Sequence, residues 1–199
     1  MAVVGRNVSL HHASTYRLAS CASLERTATM SEAKLPDNVS PALARFADVL
    51  CMYDVEVFSR QLKGLLAGPP SRLDERTIMF RLAEHAVRVS AVETLEARDR
   101  KSDADSLRSL APITDQATAR AARLATDTIE GKPVAHAHGA ALFAACVAND
   151  ECAPARTAEH AAYAVAETAG CYADPGAARK VYDEAVDLLS VLRTGPRVA

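Results

Sequence analysis

Tryptophan is absent from this 199-residue chain, and aromatic residues make up only 5% of it. A core without large rings has to be filled by aliphatic side chains. No segment carries 18 or more apolar residues without charge, so no transmembrane helix is expected. The five cysteines, Cys21, Cys51, Cys146, Cys152 and Cys171, are odd in number and widely spaced, with no Cys-x-x-Cys among them. That pattern suits thiols in a reducing compartment better than a disulfide framework, and points to a cytoplasmic protein. The formal charge is −2 and no stretch is strongly basic. A nucleic-acid binder needs Lys and Arg gathered on one face, so that class is set aside. The phosphate-cradling loops Gly-x-Gly-x-x-Gly and Gly-x-x-x-x-Gly-Lys-Ser/Thr are missing, as is the Gly-x-Ser-x-Gly elbow of esterase-type serines. No cofactor is expected on these grounds.

What the chain has in excess is alanine. From Ala117 to Ala185, 24 of 69 residues are Ala, in runs such as Ala121-Ala122, Ala144-Ala145 and Ala161-Ala162. Alanine has the best helix propensity and the smallest apolar side chain, so this half predicts helices that pack closely. Length and a hydrophobic fraction of 49% suit one domain with a real core.

The first thirty residues differ from the rest. Arg6, Arg17 and Arg26 face one acid, Glu25, among many Ser, Thr and Ala. Those traits are shared by organelle transit peptides and by an upstream extension preceding Met30. Residues 1–36 are therefore expected to be a disordered tail or extension, and 37–195 a single helical bundle domain. His11-His12 lies in that tail.

Helical punctuation then runs along the chain. Ser40-Pro41 opens a first helix with Leu43, Phe46, Leu50, Tyr53 and Val57 at helical spacing, continuing through Leu65 to Gly68-Pro69-Pro70. Ser71 begins a second long helix to about Arg98, with Ile78, Leu82, Val89 and Val92 along its stripe and Arg98, Arg100 and Lys101 at its negative end. Residues 101–113 read as a connection holding a short turn near Leu107 and Leu110. Thr114 caps a third helix, with Ala117, Ala121, Leu124 and Thr128 on one face. Gly131-Lys132-Pro133 separates it from a fourth, about 134–148. A fifth runs from Pro154 to Ala169-Gly170, and Asp174-Pro175 announces the last, which breaks at Gly195-Pro196. No stretch alternates long enough for a strand. The expected fold is all-α, a compact bundle of about five or six helices behind a disordered N-terminal tail.

Chemistry is harder to place. A di-iron bundle sets Glu three residues before His, yet that position holds Leu82, Pro133, Ala135 and Thr157 before His85, His136, His138 and His160. Three histidines from separate helices, His85, His138 and His160, could still converge on a zinc or nickel ion. His136 and His138 stand about 200° apart around an ideal helix, so one ion would not take both. His136, in the first turn after Pro133, is expected to be exposed. Cys146 and Cys51 read as small buried hydrophobes, Cys152 and Cys171 as exposed near helix ends. Asp54, inside an apolar run, would need a partner if buried, with Arg81 and Arg88 as candidates. Asp183, Glu184 and Asp187 form an acidic stretch of the last helix that could meet a basic partner.

The segment 122–146, Ala-Arg-Leu-Ala-Thr-Asp-Thr-Ile-Glu-Gly-Lys-Pro-Val-Ala-His-Ala-His-Gly-Ala-Ala-Leu-Phe-Ala-Ala-Cys, followed by Ala158-Glu-His-Ala-Ala-Tyr-Ala-Val-Ala, resembles the alanine-rich helical core of immunity proteins of bacterial polymorphic toxin systems. The resemblance implies a toxin domain as partner and carries over no functional residue, because the front motif of that family is not matched. The expected function is thus a non-enzymatic helical interaction protein that neutralises a toxin through a protein surface. The alternative is a helical-bundle metal-binding protein or metal-dependent enzyme using His85, His138 and His160.

Overall fold

A computed structural model describes residues 40–53, 71–131, 133–146 and 152–194. Every regular element among them is helical. The helices are α1 (Pro41–Cys51), α2 (Glu75–His85), a π-helical turn (Ala86–Ser90), α3 (Ala91–Ala97), α4 (Lys101–Arg108), α5 (Gln116–Asp127), α6 (Ala135–Ala145), α7 (Ala153–Ala169) and α8 (Pro175–Thr194). The expectations for the N-terminal tail, His11-His12, Cys21, Asp54, the helix beyond Tyr53, the end of the fourth helix near residue 148 and the break at Gly195 fall outside the described residues.

The helix starts follow capping chemistry. Ser40 accepts the amide of Leu43, with Pro41 in the first turn of α1. Asp174 accepts the amide of Ala177 ahead of α8. Two caps differ from the sequence reading. Asp115, not Thr114, caps α5, because its carboxylate takes the Thr118 amide while the Thr118 hydroxyl receives the Asp115 amide in return. Asp74, not Ser71, caps α2. The Ser71 hydroxyl instead donates to the Leu192 carbonyl of α8, a contact 121 residues away in the chain.

Two helices also end or divide differently. α1 stops at Cys51, where the amides of Met52 and Tyr53 turn back to Val49 and Leu50 in a tightened last turn. The connection after Arg98 is a helix of its own, α4. Asp99, at φ 58°, turns the chain in the left-handed region, so Arg100 and Lys101 open the next helix and do not close the previous one. Arg100 then pairs with Asp103 and donates to the Glu130 carbonyl.

α7 is the hub. It packs against α1, α2, the π turn, α3, α6 and α8. Such crowding needs a helix that is small on several sides, and α7 buries Ala153, Ala158, Ala161, Ala162, Ala164 and Ala169. Helix axes approach most closely where side chains are short. The bulk comes from α1 and α2, where Phe46, Leu50, Ile78, Met79 and Leu82 are fully buried. α8 adds one stripe of Val181, Ala185, Leu189 and Leu192.

α5 corrects the sequence reading most clearly. The face singled out by the sequence spacing, Ala117, Ala121, Leu124 and Thr128, is exposed, with Leu124 61% accessible. The buried face is Ala119, Ala122 and Thr126. Both sets obey helical spacing, and the small set faces the core, since α5 lies against the alanine-rich α6.

The π turn sits in the middle of a rod with right-handed helical backbone through both junctions. The Ala91 amide reaches back to Ala86, one residue further than in an α-helix. Beside it, the Thr168 hydroxyl of α7 lies 2.9 Å from the Ser90 carbonyl and 3.0 Å from the Thr94 hydroxyl, all buried. α7 is thus tied to the rod at its irregular point.

Candidate functional site

Two helix faces, each spaced over two turns, meet along the α6–α7 seam. His136, Gly139 and Phe143 lie at i, i+3 and i+7 of α6, on one side of it. Arg156, His160 and Tyr163 lie at i, i+4 and i+7 of α7. Across the seam, the His136 and His160 rings have centroids 5.8 Å apart, His136 and Tyr163 5.1 Å, and Phe143 and His160 5.3 Å. The Arg156 guanidinium carbon stands 5.2 Å from the Phe143 centroid, within cation–π range. At the end of α1, Tyr53 meets Tyr163 edge to face, with centroids 6.4 Å apart at 87°.

Glycine makes the seam possible. A Cβ at Gly139 would stand 2.3 Å from His160 Nδ1 and 2.8 Å from Cγ, so the ring occupies the volume that any side chain would need. Nδ1 is buried there with no hydrogen-bond partner among the described residues. The Glu159 carboxylate, one residue earlier, pairs with Arg45 of α1 at 3.0 Å and accepts the Tyr163 hydroxyl at 3.4 Å. Burial first, and then the charge of His160, hold the His136 pKa below its usual value. Burial likewise lowers that of His160, opposed by Glu159 and reinforced by His138. Burial and the Glu159 charge push the Tyr163 phenol up.

The sequence-derived residues are distributed differently. His138 points the other way from His136, as the 200° separation requires, and its Nδ1 lies 3.1 Å from the Thr126 hydroxyl of α5. His136, expected to be exposed, is half-buried against α7. His85 lies at the end of α2, where burial pushes its pKa down to about 4. Among the described residues no group of three or more His, Cys, Asp or Glu side chains is placed to hold a metal ion. The convergence expected of His85, His138 and His160 is therefore not found, because His138 and His160 serve different helix seams.

Asp183 and Glu184 lie on α8, paired one turn back with Arg179 at 3.0 Å and Lys180 at 3.6 Å. Asp187 is exposed. Glu184 also faces Glu93 of α3, whose carboxyl is pushed up by burial and by that charge. The stretch is thus partly neutralised along its own helix. Of the candidate partners for Asp54, Arg81 is exposed and Arg88 is engaged by Glu84 at 2.7 Å. Cys51 is buried, Cys146 and Cys171 are half-buried and Cys152 is exposed. Among the described residues no helix is long and apolar enough to cross a membrane.

Sequence reasoning missed Gly139, Phe143 and Tyr163. Their signal is the shared i, i+3/4, i+7 placement of rings on two successive helices, readable only once those helices are known to face each other.

The described residues define an all-α helical bundle with a cluster of rings packed along the seam between two alanine-rich helices. No family model matches the chain, nor does any curated protein or solved structure with which it was compared.

Proposed function

We propose that this protein is a non-enzymatic helical binding protein of the cytoplasm, which holds a protein partner on the face centred on Tyr53, His136 and Tyr163. The observation that supports this reading is concentration. A chain with only five Tyr and four Phe brings Tyr53, Phe143 and Tyr163 together with two histidines on one side of the bundle. Tyr53 and its neighbour Met52 are 52% and 47% exposed. Exposed apolar groups gathered in this way mark interaction sites, and tyrosine is among the side chains that carry most of the energy in protein interfaces. The Arg45–Glu159 pair at the margin supplies polar groups for orientation.

Following the resemblance of residues 122–146 and 158–166, the partner is a toxin domain that the bundle neutralises by occupying its surface. The reading expects a toxin gene immediately upstream, and rescue of growth when both are expressed. Tyr53→Ala and Tyr163→Ala should each weaken binding of the full chain to that toxin domain at least tenfold by calorimetry, about 1.4 kcal/mol. Asp183→Asn should leave it within twofold. A neighbourhood without such a gene, or wild-type affinity in both tyrosine variants, overturns the reading.

A further inference from the structure

The most unusual chemistry in the molecule is a pair of imidazoles facing each other across a helix seam that has little room to adjust. His160 is fitted against the Gly139 backbone, with Nδ1 buried and without a hydrogen-bond partner among the described residues. A neutral imidazole tolerates that position by carrying its proton on Nε2 and leaving only a lone pair at Nδ1. An imidazolium has N–H groups on both nitrogens, so one donor would be buried without an acceptor. His136 sits opposite, its centroid 5.8 Å away. Two like charges at that separation, in a partly desolvated seam, repel more than they would in water.

We infer that the His136–His160 pair is a proton-sensitive latch: the α6–α7 seam is closed while both rings are neutral, and acidification opens it by charging them. The latch requires no partner and stands apart from the toxin reading.

The surrounding charges leave this balance intact. On α7, Glu159 favours a charged His160, but its carboxylate is already engaged by Arg45 of α1 and the Tyr163 hydroxyl. Arg156 lies over Phe143 on the same face and adds positive charge. On α6, His138 opposes protonation of His160, and from α5 it meets the uncharged Thr126 hydroxyl. α2 and the π turn also pack on both helices and bring Arg81, Glu84, His85 and Arg88. Arg81 is exposed, Glu84 and Arg88 neutralise each other at 2.7 Å, and His85 is held neutral by burial. Further along α7, Glu167 is matched by Arg98 of α3 at 3.5 Å. Glu93 of α3 is met by Glu184 of α8. Burial therefore remains the leading influence on both rings, and it disfavours charge.

The test is hydrogen exchange of the α6 amides in the full-length protein at pH 7.5 and pH 5.0, corrected for the intrinsic exchange rate at each pH. In the wild type, α6 protection is expected to fall at least tenfold relative to α3 on acidification. In His160→Phe, which keeps a ring on Gly139 but cannot be charged, the fall should shrink to less than threefold. His136→Gln, which removes the repelling partner and leaves the Gly139 contact untouched, should reduce it to an intermediate value and decides the matter if His160→Phe does not fold. Unchanged α6 protection in the wild type overturns the latch. So does an undiminished fall in His136→Gln, which would place the acid-sensitive group elsewhere, with His85 the first to examine.

Discussion

The imidazole of His160 rests on the backbone of Gly139, with Nδ1 2.3 Å from where a Cβ would be. Two residues 21 apart in sequence, on successive helices, thereby key those helices together by the absence of a side chain on one and the presence of a ring on the other. In an isolated helix Gly139→Ala would stabilise by about 1 kcal/mol. Here overpacking, which costs about 1–3 kcal/mol, opposes that gain. Gly139→Ala is expected to lower the urea midpoint. A second change, His160→Ala, should restore much of the loss, since it empties the contested volume; independent, additive losses would refute the keying.

Two buried threonines of α7 should respond oppositely to the same substitution. Thr168 binds the Ser90 carbonyl and the Thr94 hydroxyl, so Thr168→Val leaves buried polar groups without a partner and should cost about 1–3 kcal/mol. The Thr157 hydroxyl is buried with no partner among the described residues. Thr157→Val replaces it with a methyl group of like shape and should be neutral or stabilising by up to about 1 kcal/mol. Chemical denaturation of the two variants side by side checks the sign.

Glu75 joins the starts of α1 and α2. Its carboxylate accepts the Ala42 amide at 2.7 Å and the Ser40 hydroxyl at 2.5 Å, while Ser40 caps α1. Hydrogen bonds to a charged group are worth about 1.5–3 kcal/mol, and Glu75→Ala should cost toward the lower end of that range at this partly buried position. A double-mutant cycle with Ser40→Ala should show coupling of about 0.5 kcal/mol or more.

His85 sets an acid limit on stability. Burial pushes its folded pKa down to about 4, while in the unfolded chain it titrates near the ordinary value of 6.5. Between those values the unfolded state binds more protons, so stability is complete above pH 6.5 and falls as pH drops toward 4. The loss from this residue is at most about 3 kcal/mol. Thermal melts of His85→Phe should show a flatter dependence between pH 6.5 and 4 than the wild type.

Thiol reactivity should follow the placement of the cysteines. Burial, aided by Asp48, pushes the Cys51 thiol up to about 11, which leaves little thiolate at neutral pH. Cys152 is exposed at the start of α7. Maleimide labelling mapped by mass spectrometry at pH 7 should modify Cys152 well before Cys51, and mild denaturant should abolish the difference.

Much of the fold was legible because local chemistry repeats along the chain. Ser40-Pro41, Asp174-Pro175 and Gly170 mark helix ends by rules that act within a few residues, and the helices follow. The errors came where two local solutions were equivalent. On α5, Leu124 with Ala121 and Ala122 with Thr126 both make helical stripes, and only the neighbouring helix selects between them. At Asp74 and Asp115, a polar residue a few positions from the expected cap had the better geometry. The histidines show the same division. That His136 and His138 diverge followed from helical period alone, whereas their partners, His160 and Thr126, depended on which helices lay beside α6.

The scarcity of aromatic rings and the abundance of alanine determined a helical bundle, because propensity and side-chain size act residue by residue. Which rings would meet was decided only by tertiary packing. A helix as small as α7 can accept neighbours on several sides, so its own sequence does not select among them. The seam that gathers Tyr53, His136, Phe143, His160 and Tyr163 exists because α1 and α6 settle on that helix together, with Gly139 opposite His160.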